Sequence, residues 1–204
     1  MGVDTTQTHE ASIDPTAVVA TMVGDRERLT AVVRAVTGRP DAELATVSAR
    51  PASNRVDNMT THALTHVWGT LADGTPWRVF AKTLRPAWHA PQWALIPPDL
   101  HEQVRRILDW QDEPRVYASR LADDLPPGLR FPEVFAVDDG DDRVTLWLQD
   151  VDDTGSWDAF RYQRAARHLG RLAGRWPEPR VVDELGLRRR PPARWPASAA
   201  GCWL

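Results

Sequence analysis

The hydrophobic period of the chain changes along its length. Leu29, Val32, Val33 and Val36 recur at helical spacing, and Gly38 followed by Pro40 ends that run. One or two short helices are expected over residues 15–40, opened by Asp14-Pro15. From Leu44 the period becomes two. Residues 44–50, 61–71 and 75–83 read as strands, and Asp73-Gly74 reads as the hairpin turn between the last two. The loop at 51–61 is polar and contains Ser53, Asn54, Asp57 and Asn58.

Residues 88–98 are irregular and rich in proline and tryptophan. Asp99 then reads as a helix cap, with Glu102 completing a capping-box-like pair and Leu100, Val104, Ile107 and Leu108 as the apolar stripe. A second helical piece follows Glu113, with Pro114 tolerated in its first turn, until Pro126-Pro127-Gly128. Residues 132–137 and 143–148 form a hairpin around an acidic turn, and Val144, Leu146 and Leu148 are expected to face the core. After a polar linker at 152–156 comes a long helix reaching Arg175. Phe160, Leu169, Leu172, Ala173 and Trp176 are expected on its buried side. The expected fold class is therefore α+β.

Composition narrows the function classes. The net charge is −3, and no basic patch dominates outside the C-terminal stretch, which argues against a nucleic-acid surface. The single cysteine, Cys202, excludes an internal disulfide framework. Residues 1–14 lack the apolar segment of a signal peptide and read as disordered, and no apolar run is long enough for a membrane span. The expected setting is the cytoplasm, with no membrane partner.

The 25 basic residues include one lysine, Lys82, at the end of the third strand-like run in Arg78-Val79-Phe80-Ala81-Lys82. An ammonium is a compact point charge that fits between phosphate oxygens and a carboxylate where a guanidinium fork does not. A solvated lysine at a strand end is the plain alternative. Trp88, Trp93 and Trp110 offer a further reading, a stacking surface for sugars, against the commoner use of tryptophan in packing.

Five landmarks then follow in order: three strands, Lys82, a helical region with Trp110-Gln111-Asp112-Glu113 and Tyr117, a Leu-Pro-Pro-Gly break, and Leu146-Trp147-Leu148-Gln149-Asp150-Val151. The ordered set resembles the aminoglycoside phosphotransferase family of small-molecule kinases, over residues 42–176. The resemblance implies a protein-kinase-like N-lobe over 41–151, a twisted antiparallel sheet of about five strands with a Lys–Glu helix and a hinge. Helices over 15–40 would precede it; the first helix of an incomplete helical C-lobe over 152–176 and an irregular Pro/Arg-rich tail over 177–204 would follow.

The resemblance also implies site roles. Lys82 would contact the α- and β-phosphates of ATP, and Glu113 would hold Lys82, with Glu102 as competitor. Gln149 would offer its backbone carbonyl and Val151 its amide to the adenine edge; the family usually has an acidic residue where Gln149 stands. Ser53 and Asn54 would take the place of a glycine-rich phosphate loop, or belong to an ordinary surface loop. Phe80 would crowd or stack on the base. ATP with magnesium would be the cofactor, and a small hydroxylated metabolite or aminoglycoside-like compound the acceptor.

The catalytic loop of such kinases carries an aspartate base and a metal-binding asparagine, and a later aspartate binds the second metal. None of the six histidines is followed two residues later by aspartate. Asp150 and Asp152 have the spacing of a metal pair but lie at the hinge. The expectation is a truncated or frameshifted member without transfer activity, or a chain with a naturally short tail. A non-catalytic nucleotide- or protein-binding module is the alternative. An exposed inter-lobe face would then favour self-association.

Overall fold

The computed structural model describes residues 25–52, 58–151 and 156–177. Helix α1, Arg26–Thr37, is capped by the Asp25 carboxylate, which accepts from the Arg28 amide. It stops at Gly38, whose left-handed φ of 65° lets its amide reach back to the carbonyls of Arg34 and Ala35. Strands β1 (Leu44–Pro51), β2 (Thr61–Leu71) and β3 (Pro76–Leu84) follow. Strands β4 (Val134–Asp139) and β5 (Val144–Leu148) complete a five-stranded antiparallel sheet in the order β1-β2-β3-β5-β4. The strand expectations therefore hold to within a few residues, and the molecule is mixed α+β.

The β2–β3 turn is fixed by Asp73. Its carboxylate accepts from the Thr75 amide and meets Arg39 at 2.6 Å, and these donors hold its pKa down to about 2. Alternation on β3 separates two faces of the sheet. Trp77, Val79 and Ala81 join Val67, Leu71, Ala42, Leu44 and Trp147 in a core sealed by Leu29, Val32 and Val33 of α1. Polar groups staple α1 to the sheet: Arg28 pairs with Asp138, and Arg34 Nε donates to the Ala42 carbonyl at 3.3 Å.

The other face is covered in part. Leu84, Val144, Leu146 and Leu148 pack under Trp110, with Tyr117, Phe80 and Val134 around them. Trp147, expected to point away from the core, is buried as well, because α1 covers the face on which it lies. Its indole N–H donates to Asp138 at 2.7 Å.

Between β3 and β4 the irregular stretch expected at 88–98 holds short turns, and the two helical pieces expected after it are seven residues each, the second giving way to a 3-10 turn at Arg120–Asp124. Short 3-10 turns at Ala87–His89, Pro91–Leu95 and Pro98–Leu100 lead into α2 (His101–Ile107) and α3 (Asp112–Ala118). The capping box at Asp99 and Glu102 does not form. Pro97-Pro98 forces a 3-10 turn that places Asp99 inside it and leaves Leu100 at the cap position without a side-chain bond. A final helix, α4 (Ala159–Arg175), is capped by Asp158.

Only one end of α4 is covered. Trp176 is buried against Leu121 with Leu172 beside it, and Arg175 pairs with Asp124. Phe160 and Leu169 are 69% and 59% exposed, and Ala173 is exposed too, so most of the expected buried stripe faces outward. Leu169, Leu172, Ala173 and Trp176 share one side of the helix, packed at its Leu172–Trp176 end, whereas Phe160, nine residues before Leu169, lies on the opposite side.

Candidate functional site

On the face of the sheet opposite α1, backbone pairing sets the side chains in rows. Arg50, His66, Phe80 and Leu148 are successive partners across β1, β2, β3 and β5. Leu64, Lys82 and Leu146 form the next row. Lys82 thus rises from the middle strand with an apolar side chain on each flank, which keeps its stem dry and its ammonium directed outward.

The ammonium meets Glu113 Oε2 at 2.7 Å, with side-chain exposures of 22% and 34%. Of the two candidate partners the structure selects Glu113; Glu102 bonds Arg106 one turn along α2, at 3.0 Å. An ammonium has three donors, so one bond to Glu113 leaves the others for further oxygens. The pair is half-buried, where attraction is less screened than at an open surface.

Helix α3 is seven residues long and is held by its polar contacts. Arg115 donates to Asp109 at 2.9 Å and to Gln111 at 2.9 Å, and reaches Asp112 at 3.3 Å, locking the turn from α2 into α3. Tyr117, one turn after Glu113, packs on Phe131 with ring centroids 5.2 Å apart. Burial, and after it the Glu113 carboxylate, push the Tyr117 phenol above its ordinary pKa.

Past β5 lies the segment expected to read a base. The Gln149 amide donates to the Glu133 carbonyl at 2.7 Å, which ties the segment to the approach to β4 and leaves the Gln149 carbonyl as its other backbone group. Val151 is exposed. Phe80 lies on the same face as Lys82, two residues before it, with one side in the apolar cluster and an edge contact to His66 at 5.1 Å. Ser53 and Asn54 fall outside the described residues.

The three tryptophans do not make one stacking surface. Trp110 is buried in the core, while Trp88 and Trp93 hold the Arg105 guanidinium, 5.3 and 5.5 Å from their ring centroids. Asp150 turns to His66, its two oxygens 3.1 and 3.2 Å from Nδ1. Asp152 lies outside the described residues. Among the described residues no three His, Cys, Asp or Glu side chains converge as metal ligands, and no helix is long and apolar enough to cross a membrane.

Sequence reasoning missed His66 and Arg115. His66 had a usable signal, because alternation from the buried Val67 places it on the open face. Arg115 had one in its i,i+3 spacing from Asp112. No family model, curated protein or solved structure matches the chain.

Proposed function

We propose that the open face of the sheet is a nucleotide cleft of the small-molecule kinase type, in which Lys82 holds the phosphates of ATP. What supports the reading is one juxtaposition: Lys82 on the central strand of a β1-β2-β3-β5-β4 sheet, 2.7 Å from a glutamate on the helix beside it. The rest of that face suits the same ligand. Phosphates would meet Lys82, the base would lie against Phe80, and the Gln149 carbonyl and Val151 amide would meet the base edge. Arg50 and Arg78 on β1 and β3 add positive charge to the face.

In the resembling kinases the acceptor is a small hydroxylated metabolite or an aminoglycoside-like compound, and transfer needs an aspartate base and metal ligands. The described residues supply no converging metal set, and no histidine in the sequence starts a His-x-Asp. The function we propose for this chain is nucleotide binding. Calorimetric titration with ATP tests it: Lys82→Ala weakens binding at least tenfold, as expected for losing a charge-assisted bond. Equal affinity in the variant would discard the nucleotide cleft. Steady ADP release by the wild type, abolished by Lys82→Ala, would instead restore catalysis to this chain.

A second reading is favoured by α4, where Tyr162 and Leu169, seven residues apart on one side, are exposed, with Trp157 against the Tyr162 ring at 5.2 Å between centroids. An apolar cluster of this kind suits self-association. Sedimentation should then show a size that rises with concentration and falls back in Leu169→Glu; a monomer at every concentration removes this reading.

A further inference from the structure

Asp150 stands between the two residues whose backbone would read a base, yet its own side chain turns back to the sheet. It bonds His66 on β2 through both carboxylate oxygens, at 3.1 and 3.2 Å from Nδ1. The strand it leaves, β5, does not neighbour β2; β3 runs between them. Two strand spacings amount to about 9.5 Å, so the bridge ties the post-β5 segment across the whole width of the central strand. It does so beside Phe80, the register partner of both His66 and Leu148.

The pair is well placed to resist pulling apart. Its side-chain exposures are 26% for His66 and 13% for Asp150. A hydrogen bond to a carboxylate so withdrawn from water is stronger than one at the surface. The carboxylate partner puts the ring proton on Nδ1, and the 68° edge contact with Phe80 fixes the plane of the ring. Arg50, the register partner of His66 on β1, is exposed, and among the described residues the hydrogen bonds of the ring go to Asp150.

We propose that His66 and Asp150 are positioning residues of the nucleotide cleft: their bond tethers the segment 149–151 to β2 and holds the Gln149 carbonyl and Val151 amide where a base edge can meet them. The proposal rests on the nucleotide reading above for its ligand and on the hydrogen-bond geometry for the tether. A group held in place before binding loses less freedom on binding, so the tether acts on the base and not on the phosphates.

The test compares ATP with inorganic tripolyphosphate, which carries the phosphates and no base. Asp150→Ala should weaken ATP about tenfold and leave tripolyphosphate unchanged, while Asp150→Asn, which keeps an oxygen for the Nδ1–H, loses less. Unchanged ATP affinity in Asp150→Ala, or an equal loss of both ligands, overturns the proposal. Lys82→Ala weakens both ligands if the cleft reading is right, so the two ideas fail separately. Hydrogen exchange without ligand gives a second readout. The Gln149 amide should exchange about tenfold faster in both Asp150→Ala and His66→Ala if the tether holds the segment. Wild-type exchange in both variants would show that the bond holds nothing in place.

Discussion

The two faces of the sheet are built from alternate residues of the same strands and serve opposite ends. Under α1, Trp77, Val79 and Ala81 are buried with Val67 and Trp147, and polar contacts there include the 3.1 Å bond between the Thr83 and Thr145 hydroxyls. On the other face Arg78, Phe80 and Lys82 share the strand with Leu84, and only the half nearest Trp110 and Tyr117 is dry. One face closed by a helix supplies burial enough for the other to carry charge. A sheet with both faces dry would have no room for an ammonium and a carboxylate, and one with both faces wet would not fold.

Substitution should separate the faces by kind of effect. Trp147→Ala removes one of the two tryptophans beneath α1 together with its indole bond to Asp138, and should cost about 3–5 kcal/mol in urea unfolding. A loss below about 1 kcal/mol would mean that α1 does not seal this face. Gly69→Ala strikes the same face through the backbone. A Cβ there would sit 1.9 Å from the Thr46 carbonyl oxygen, so β1 and β2 must separate; about 2–3 kcal/mol is expected, with the loss read in the same unfolding curve.

How far these faces were legible depends on the kind of signal. The strands were readable because alternation is local: the expected 61–71 is β2 as observed, and α1 ends at the Gly38 that the sequence marks. Lys82 stood out by its chemical singularity, and Glu113 by its place between Trp110 and Tyr117. The failures came where a partner far along the chain decides the outcome. Alternation assigns Trp147 to an outer face, but it says nothing of a helix more than a hundred residues upstream arriving to cover it. Leu169, Leu172, Ala173 and Trp176 share one side of α4, yet Leu169 and Ala173 are exposed, since periodicity specifies a face and not its occupant; Phe160, nine residues before Leu169, falls on the opposite side. The Asp99 cap failed for a local reason, the two prolines before it. The His66–Asp150 bond joins residues 84 apart, and no spacing rule reaches that far.

At the end of the sheet, where the faces meet, a smaller effect depends on pH. Arg85 is buried, with its guanidinium donating to the Met59 carbonyl at 3.4 Å and meeting His62 Nδ1 at 3.2 Å. Burial first, then the charges of Arg143 and Arg85, pull His62 down to about 4. The unfolded chain takes up that proton at an ordinary histidine pKa of about 6.5, before the folded chain does. Folding stability is therefore undiminished above about pH 6.5 and falls as the pH drops towards 4, by about 1–2 kcal/mol once the partial exposure of the ring is allowed for. His62→Gln should flatten this part of the stability–pH curve; an unaltered slope would assign it to other groups.

On the open face, stability and binding should come apart. Lys82→Met keeps the apolar stem and removes a half-exposed charge pair, and should shift unfolding by less than about 1 kcal/mol while weakening ATP as Lys82→Ala does. A loss of stability comparable to that of Trp147→Ala would make the ion pair a structural element and the contrast between the faces would disappear.

The smallest expected effect is the most pointed, because it concerns the glutamate that the structure passes over. Glu102 and Arg106 are 66% and 68% exposed, and their 3.0 Å bond runs along one turn of α2. Water screens such a pair and both long side chains lose freedom in forming it, so Glu102→Ala should change stability by less than about 0.5 kcal/mol. ATP affinity should stay within twofold of wild type, whereas Glu113→Ala should lower it severalfold by releasing the ammonium that Glu113 holds in place. The two substitutions remove the same chemical group from neighbouring helices, so the difference between them isolates position. If Glu102→Ala weakened ATP as much as Glu113→Ala, the carboxylate beside Lys82 would be acting through general negative charge, and the 2.7 Å contact would lose its claim to organise the cleft.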